Sequence, residues 1–365
     1  MSAGKKAALA AGLAVCIVLV FFSAVYGVFS HYVSKMNFVD PDRDTGVYLD
    51  EKDLEIKAGE EETENSDTEA VRILEEELKE NETEDYGLDF DDKNVFNFLL
   101  VGSDTRGSDR GRSDTMIILS INKETKKITM TSLMRDTYLT VPGLSKGNRI
   151  NAAYSTGGIK RLFATIKLNY KIDLQKYVAI DFFGFIDVVD ILGGVTVNVT
   201  KGEKEDMLNH MKEICRIKGV SYSKYSDFGT GNVHLNGLQA LCYARVRHTG
   251  NGEYQRTERQ REILTILFNK IKKKGLSATE IAALADKLLP YVTTNFSQGD
   301  ILALLSSAPS YLSDYELVSF RIPYKGTYRN MGVRGMSVIG INFEKNIKKW
   351  HDVVYNGASV EGLVD

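Results

Sequence analysis

Two distant stretches of this 365-residue chain concentrate side chains able to do chemistry together: VGSDTRGSDRGRSDT at residues 101–115 and YARVRHTGNGEYQRTERQ at residues 243–260. The first offers the carboxylates of Asp104 and Asp114, with Arg106 and Arg112 among them; the second offers the guanidiniums of Arg245, Arg247 and Arg256. Carboxylate oxygens hold divalent cations, and guanidiniums fork onto phosphate oxygens. Set opposite one another, they are equipment for handling a phosphate or pyrophosphate ester. Each residue also has an ordinary role: Asp caps helices and starts turns, and an Arg often lies on the surface or pairs with a nearby acid. A site with several arginines and only two or three acids is electropositive and invites a phosphorylated ligand.

Other chemistries lack their motifs. The glycines of residues 102–111 are not followed by the Gly-Lys-Ser/Thr ending of a nucleotide phosphate loop. The five histidines show no pair at metal spacing, which argues against zinc. No Gly-x-Ser-x-Gly elbow marks a serine hydrolase.

The elements that would position these residues can be read from periodicity. Val95–Gly102, Thr115–Asn122 and Ile128–Leu133 are rich in β-branched and aromatic residues and follow one another closely, across the polar turn Lys123–Lys127. As antiparallel neighbours they bring the end of the first, the start of the second and the end of the third to one edge of a sheet, collecting Asp104, Asp114, Arg135 and Asp136 there. Helical signal at Gly158–Leu168 and Phe182–Leu192 alternates with strands Tyr177–Asp181 and Val195–Val199. Helices are expected at Asn236–Tyr243, from near Glu253, at Arg261–Lys274 and at Thr279–Leu289, with a strand at Glu316–Ile322. Arg256 and Gln260 are four apart and share a helix face that Ile263 and Leu267 continue into the core. This pattern predicts a single layered α/β/α domain around a mixed central sheet over residues 95–365.

Upstream, residues 7–30 carry no charge, and a helix of that length reaches about 36 Å, enough for a bilayer core of about 30 Å. The expectation is an uncleaved signal-anchor helix with a cytoplasmic tail of residues 1–6 and an exported domain. Residues 37–93 hold 23 acidic and 6 basic residues, so 31–94 is expected to be a solvated, self-repelling extracytoplasmic linker. Within it, Ser66 would cap an exposed helix carrying Val71, Leu74 and Leu78 on one stripe. The rest of the chain is left with 26 acidic against 40 basic residues, and a basic domain suits an anionic partner. Cys215 and Cys242 could pair, or be two buried thiols.

The motifs SDTR, GRSDTM, SLMRDT, NRINAAY with Gly157–Gly158, YVAIDFFGF, VVDILGGV, NGLQALCYARVR and YQRTERQ, in this order, resemble the LytR-CpsA-Psr family, with the core of the match over residues 96–270. The resemblance implies an enzyme anchored in the cytoplasmic membrane of a Gram-positive type of cell. It implies transfer of a glycopolymer, such as wall teichoic acid or capsule, from undecaprenyl pyrophosphate to the 6-hydroxyl of peptidoglycan N-acetylmuramic acid, forming a phosphodiester. Its partners are the polyprenyl pyrophosphate-linked glycopolymer, peptidoglycan and the membrane, with no nucleic acid. Asp104 and Asp114 then match acids associated with Mg2+ (or Mn2+) and with polarising the acceptor. Arg135, Arg245 and Arg256 match catalytic arginines; Arg106, Arg149, Arg247 and Gln260 match residues around the pyrophosphate lipid. Met134 stands where the family usually has proline, and Glu253 where it has aspartate. A lipid pyrophosphatase, or a non-catalytic polymer-binding or transcription-attenuating protein, are the competing functions, and an exported domain argues against DNA.

Overall fold

Alternating apolar residues in three successive runs build the middle of a seven-stranded sheet. The computed structural model describes residues 27, 30–31, 33–44, 48–49, 68–103, 113–250, 252–275, 286–287 and 289–363. In chain order these form β1 (Asn37–Phe38), α1 (Thr68–Thr83), β2 (Val95–Ser103), β3 (Ser113–Asn122), β4 (Lys127–Leu133), β5 (Tyr138–Leu139), β6 (Asn148–Arg149), α2 (Ile150–Tyr170), β7 (Tyr177–Asp181), α3 (Phe182–Ile191) and β8 (Val195–Val199). They continue with α4 (Lys201–Lys218), β9 (Gly231–Leu235), α5 (Gly237–Arg245), α6 (Glu253–Lys274), β10 (Val292–Thr294), α7 (Gln298–Asp314), β11 (Glu316–Ile322), β12 (Tyr328–Val333), β13 (Met336–Ile341) and α8 (Phe343–Val354).

The large sheet has the order β1-β10-β7-β2-β3-β4-β11 and is mixed. β2, β3 and β4 are antiparallel neighbours, with Gly102 opposite Thr115 and Ile117 opposite Ser132. β7 lies parallel to β2 and β11 parallel to β4, each reached through helical crossovers. One face of the sheet presents Leu99, Val101, Met116, Ile118 and Phe320 to α2 and α8. The opposite face presents Phe98 and Ile121, packed by Phe268 of α6 and by Ile301 and Leu304 of α7. Helices α3 to α6 and the hairpin β8–β9 close a further core around Val189, Met207, Leu241 and Ile263. The expected mixed central sheet packed by helices is what forms.

Three expectations meet a different outcome, and of the two readings of Cys215 and Cys242 the buried thiols are the one that forms. The helix expected at Gly158–Leu168 begins eight residues earlier, at Ile150, and bends where Gly158 takes φ 61° and ψ −155°; the double glycine marks a break inside the element, not its start. The helix expected to be an exposed linker is docked: Leu74 and Leu78 are 0% and 2% exposed, Glu75 accepts from the Tyr138 hydroxyl at 2.5 Å, and Asn81 donates to the Asn169 carbonyl at 3.0 Å. Two leucines four apart suffice when a partner groove exists, which the strand and helix patterns alone do not disclose. The strand β1 also lies inside the stretch expected to be a free linker. Cys215 and Cys242 are both free and buried.

The expected membrane helix, apart from Gly27 and Ser30, and most of the expected helix Thr279–Leu289 lie outside the described residues. Among the described residues no helix is long and apolar enough to cross a membrane.

Candidate functional site

The sheet edge formed by the ends of β2, β4 and β7 and the start of β3 carries the candidate chemistry. Asp114 sits at the beginning of β3, one residue past Ser113, so its side chain is fixed by strand pairing. Arg135 follows β4 by two residues, and its Nη1 donates to Asp114 Oδ1 at 2.6 Å. The same guanidinium spans two further acids: Nη2 is 3.0 Å from Glu253 Oε1, and Nε is 3.7 Å from Asp136 Oδ1. Arg149, the residue before α2, places Nη1 3.7 Å from that same Asp136 oxygen. Glu253 opens α6 and accepts from Nε of Arg256, one turn later, at 2.7 Å. An acid in the first turn of a helix is stabilised there by the helix dipole.

Seven of the nine residues singled out in the sequence are therefore gathered here: Asp114, Arg135, Arg149, Arg245, Arg247, Arg256 and Gln260. Arg245, at the end of α5, packs its guanidinium over the Phe182 ring at 4.8 Å and reaches Glu213 Oε2 at 3.4 Å. The Arg247 charge acts on Glu253. Gln260 donates from Nε2 to the Ala244 carbonyl at 3.3 Å, tying α6 to α5. Asp104 and Arg106 lie outside the described residues.

Strand pairing had already placed Asp136 at this edge; what sequence reasoning missed was the balancing role of Glu253 and of the acids of α4. Asp136 and Glu253 neutralise Arg135 from two sides, and α4 supplies a third set from one helix face. Glu203, Asp206 and Glu213 recur three and seven residues apart. Glu203 Oε1 accepts from Arg259 Nε at 2.8 Å, and Arg259 Nη1 donates to the Val246 carbonyl at 3.0 Å. Asp206 Oδ2 accepts the backbone N–H of Arg247 at 2.9 Å and of His248 at 3.1 Å, while its Oδ1 lies 2.9 Å from His248 Nδ1. The turn that carries the arginines is thus held from outside by carboxylates of α4. The spacing 203, 206, 213 was the available signal, hidden in a helix charged on every face.

Electrostatics divide the acids. Burial by itself raises the Asp114 carboxyl, but Arg135, Arg256 and Arg245 outweigh it and hold Asp114 below the usual carboxylate range. Glu253 is held low in the same way, burial being overcome by Arg256, Arg135 and Arg247. Asp136 goes the other way: burial raises it, Glu253 adds to the rise, and Arg135 and Arg149 offset only part. Even with these pairs, Arg135 Nε and Arg245 Nη1 are buried without a hydrogen-bond partner among the described residues, as are Asp136 Oδ1 and Glu253 Oε1. Buried donors left this way are costly, and an oxyanion is the ligand that satisfies guanidinium donors.

Beneath this polar cluster lies a cavity of about 260 Å³. Its walls are apolar: Leu100, Ile117, Val178 and Val292 from the sheet, Phe182 and Phe185 from α3, Leu241 from α5 and Leu264 from α6. Asp114, Arg245, Arg256 and Gln260 line it too. No periodicity in the sequence announces this cavity, because its walls come from four strands and three helices. An elongated apolar ligand with an anionic head fits its chemistry, tail among the leucines and phenylalanines and head at the arginines.

The comparisons with known proteins agree with this geometry. Residues 45–350 match the model of the LytR_cpsA_psr family, and the chain belongs to that family. Among its relatives is the polyisoprenyl-teichoic acid–peptidoglycan teichoic acid transferase TagU of Bacillus licheniformis, 33% identical over 217 residues, which are 59% of this chain and 64% of the relative. The matched segment thus spans a little under two thirds of that protein. TagU of Bacillus subtilis is 29% identical over 265 residues, 71% of this chain and 79% of the relative. The crystal structure of Bacillus subtilis TagV superposes with a TM-score of 0.54 at 27% identity, over 73% of this chain and 97% of that one.

Proposed function

We propose that this chain transfers an anionic glycopolymer from a polyprenyl pyrophosphate carrier to peptidoglycan; the TagU relatives are named polyisoprenyl-teichoic acid–peptidoglycan teichoic acid transferases. One observation carries the reading: a cavity with apolar walls is lined at one end by Asp114, Arg245 and Arg256, the layout a lipid with a pyrophosphate head requires. The acceptor is the 6-hydroxyl of N-acetylmuramic acid. In the transfer, that oxygen forms a bond to the sugar-bearing phosphorus, and the bond from this phosphorus to the bridging oxygen breaks. Polyprenyl phosphate leaves. A carboxylate of the Asp104/Asp114 pair takes the hydroxyl proton, and Asp114, held ionised by its arginines, is equipped for it. Arg135, Arg245 and Arg256, with Arg149, Arg247 and Gln260 around the head group, offset charge on the transferred and departing phosphates.

A magnesium ion suits the donor set as a shared ligand. Among the described residues no three acidic, histidine or cysteine side chains gather into a cage of their own. Asp114, with Asp104 and phosphate oxygens, would hold the ion, in keeping with the habit of Mg2+ of binding through one or two carboxylates plus substrate phosphates. Bound there, it would supply Lewis-acid stabilisation of the phosphoryl oxygens. The anchor and an exported domain complete the proposal, supported by the uncharged run of residues 7–30.

The test is ligation by the full-length chain, given Mg2+, a polyprenyl pyrophosphate-linked saccharide and peptidoglycan oligomers, beside Asp114→Ala. Phosphosaccharide attached to peptidoglycan, lost in the variant and on chelation and restored by Mg2+, is the expected result. Saccharide phosphate released to water, without ligation, would replace the transferase by a pyrophosphatase.

A further inference from the structure

The strand order places β1 in an unexpected position. β1 opens the acidic stretch, yet it is hydrogen-bonded into the catalytic sheet: Asn37 is level with Thr293 and Phe38 with Thr294, and Val39 N–H donates to the Thr294 carbonyl at 2.9 Å. The direction of β1 follows from its neighbours. β7 runs toward the site edge and ends at Asp181, opposite Ser103. β10 is antiparallel to β7 and so starts at that edge, with Val292 opposite Ile180. β1 is parallel to β10, so the chain enters β1 from the side of the sheet where Asp114 lies. Three strand spacings, about 14 Å, separate β1 from β2.

The connection upstream is short and fastened. Six residues, 31–36, separate Asn37 from the end of the uncharged run at Ser30. Ser34 N–H donates to the Ser30 carbonyl at 2.9 Å and Met36 N–H to the Val33 carbonyl at 3.0 Å. Val33 is 3% exposed, and Lys35 Nζ is 2.5 Å from Asp286 Oδ1. Phe38, by contrast, is 44% exposed, an aromatic ring at the edge strand nearest the uncharged run. The cavity reaches this side of the sheet, since Val292 of β10 is one of its walls.

We infer that the catalytic edge of the sheet is the surface that rests against the lipid bilayer, held there by the six-residue tether, and that the donor's tail passes into the cavity on the β10 side. The acidic stretch is then a detour that begins where the chain has already docked, and not a spacer between membrane and enzyme. This inference rests on the polyprenyl-donor reading above and on residues 7–30 being the anchor.

Two readouts keep the inference and that reading separable. The full-length chain is reconstituted in vesicles of phosphatidylglycerol and phosphatidylethanolamine, and bimane is attached to Phe38→Cys or, in the turn between β3 and β4 at the opposite edge, to Lys123→Cys. β3 sets the edges about 30 Å apart. Lipids with a spin-labelled head group are expected to quench bimane at position 38 and leave position 123 bright; equal quenching, or quenching at 123 alone, overturns the orientation. This readout does not depend on turnover. In the second, 20 Gly-Ser residues, with a root-mean-square span of about 25 Å, are inserted between Ser34 and Lys35 or, as control, after Glu60. The tether insertion is expected to lower transfer from a vesicle-borne C55 donor about tenfold and to spare a soluble C10 donor, because only the effective concentration of membrane-borne tail changes. The control insertion is expected to spare both. A tolerated tether insertion, or an equally harmful control, refutes the short tether. Failure of the unaltered chain to transfer from either donor refutes the function while the quenching still decides the orientation.

Discussion

Glu253→Gln is the sharpest probe of the charge balance at the site. The glutamate lies between Arg135 Nη2 at 3.0 Å and Arg256 Nε at 2.7 Å, and its side chain is 15% exposed. Glutamine keeps the shape and one acceptor oxygen but removes the negative charge, leaving two buried guanidiniums facing each other. Breaking a buried pair on one side costs about 3–5 kcal/mol; since Arg135 keeps Asp114 and Asp136, about 2–4 kcal/mol is expected here. For a domain of this size that lowers Tm by roughly 5–10 °C.

The informative part is the response to inorganic pyrophosphate. One negative charge about 6 Å from a bound phosphate, at an effective dielectric near 20, repels it by about 3 kcal/mol before screening. Removing that charge is expected to tighten pyrophosphate at least about tenfold, worth about 1.4 kcal/mol of added stabilisation at saturation, or roughly 3–5 °C. Thermal unfolding of the detergent-solubilised chain, with and without pyrophosphate, reads both effects. A pyrophosphate shift in the variant no larger than in the parent would refute the placement of the anion at these arginines. Acid unfolding checks the sign independently. Because Glu253 is held below its ordinary value, its ionised form stabilises the fold above that value, and the contribution is lost as pH falls through the folded-state pKa. The variant is expected to show a shallower loss of stability over that acid window.

Leu74→Ala removes a fully buried side chain that docks α1 and is expected to cost about 2–5 kcal/mol; a Tm unchanged within about 1 °C would mean that α1 does not pack in solution. Leu241→Phe adds volume inside the cavity and is expected to raise KM for a C55 donor about tenfold over a C10 donor, measured as the ratio of the two KM values; an unchanged ratio would place the tail elsewhere. Asp206→Ala frees the N–H groups of Arg247 and His248 and is expected to lower kcat about tenfold by loosening the arginine turn. Asp206→Asn, which keeps an oxygen acceptor, should recover most of it, and equal kcat for the two variants would deny the turn a positioning role.

Local readings succeeded where one segment carried the whole signal. The strands β2 to β4 were legible because each runs seven or more residues rich in β-branched and aromatic side chains, and their close succession along the chain favours antiparallel pairing. That pairing alone predicted that Asp114 and Arg135 would share an edge, and they form a 2.6 Å hydrogen bond. Short elements gave no such signal: β5 and β6 are two residues each, and β10 is three. β1, also two residues, was hidden in an acidic stretch whose composition reads as solvent-exposed chain.

What the sequence by itself determined was the inventory: the family motifs, the arginine and aspartate sets, and the central strands that bring two of them together. Residue type and local period carry that information because hydrogen bonding within a strand or helix acts over a few neighbours. What only the tertiary structure decided was pairing at a distance. The acids Asp136, Glu253, Asp206 and Glu213 became partners of particular arginines, the cavity emerged from walls on seven separate elements, and α1 and β1 were drawn onto the domain. Burial and charge compensation depend on which surfaces meet, and that is a property of the assembled layers and of no single segment.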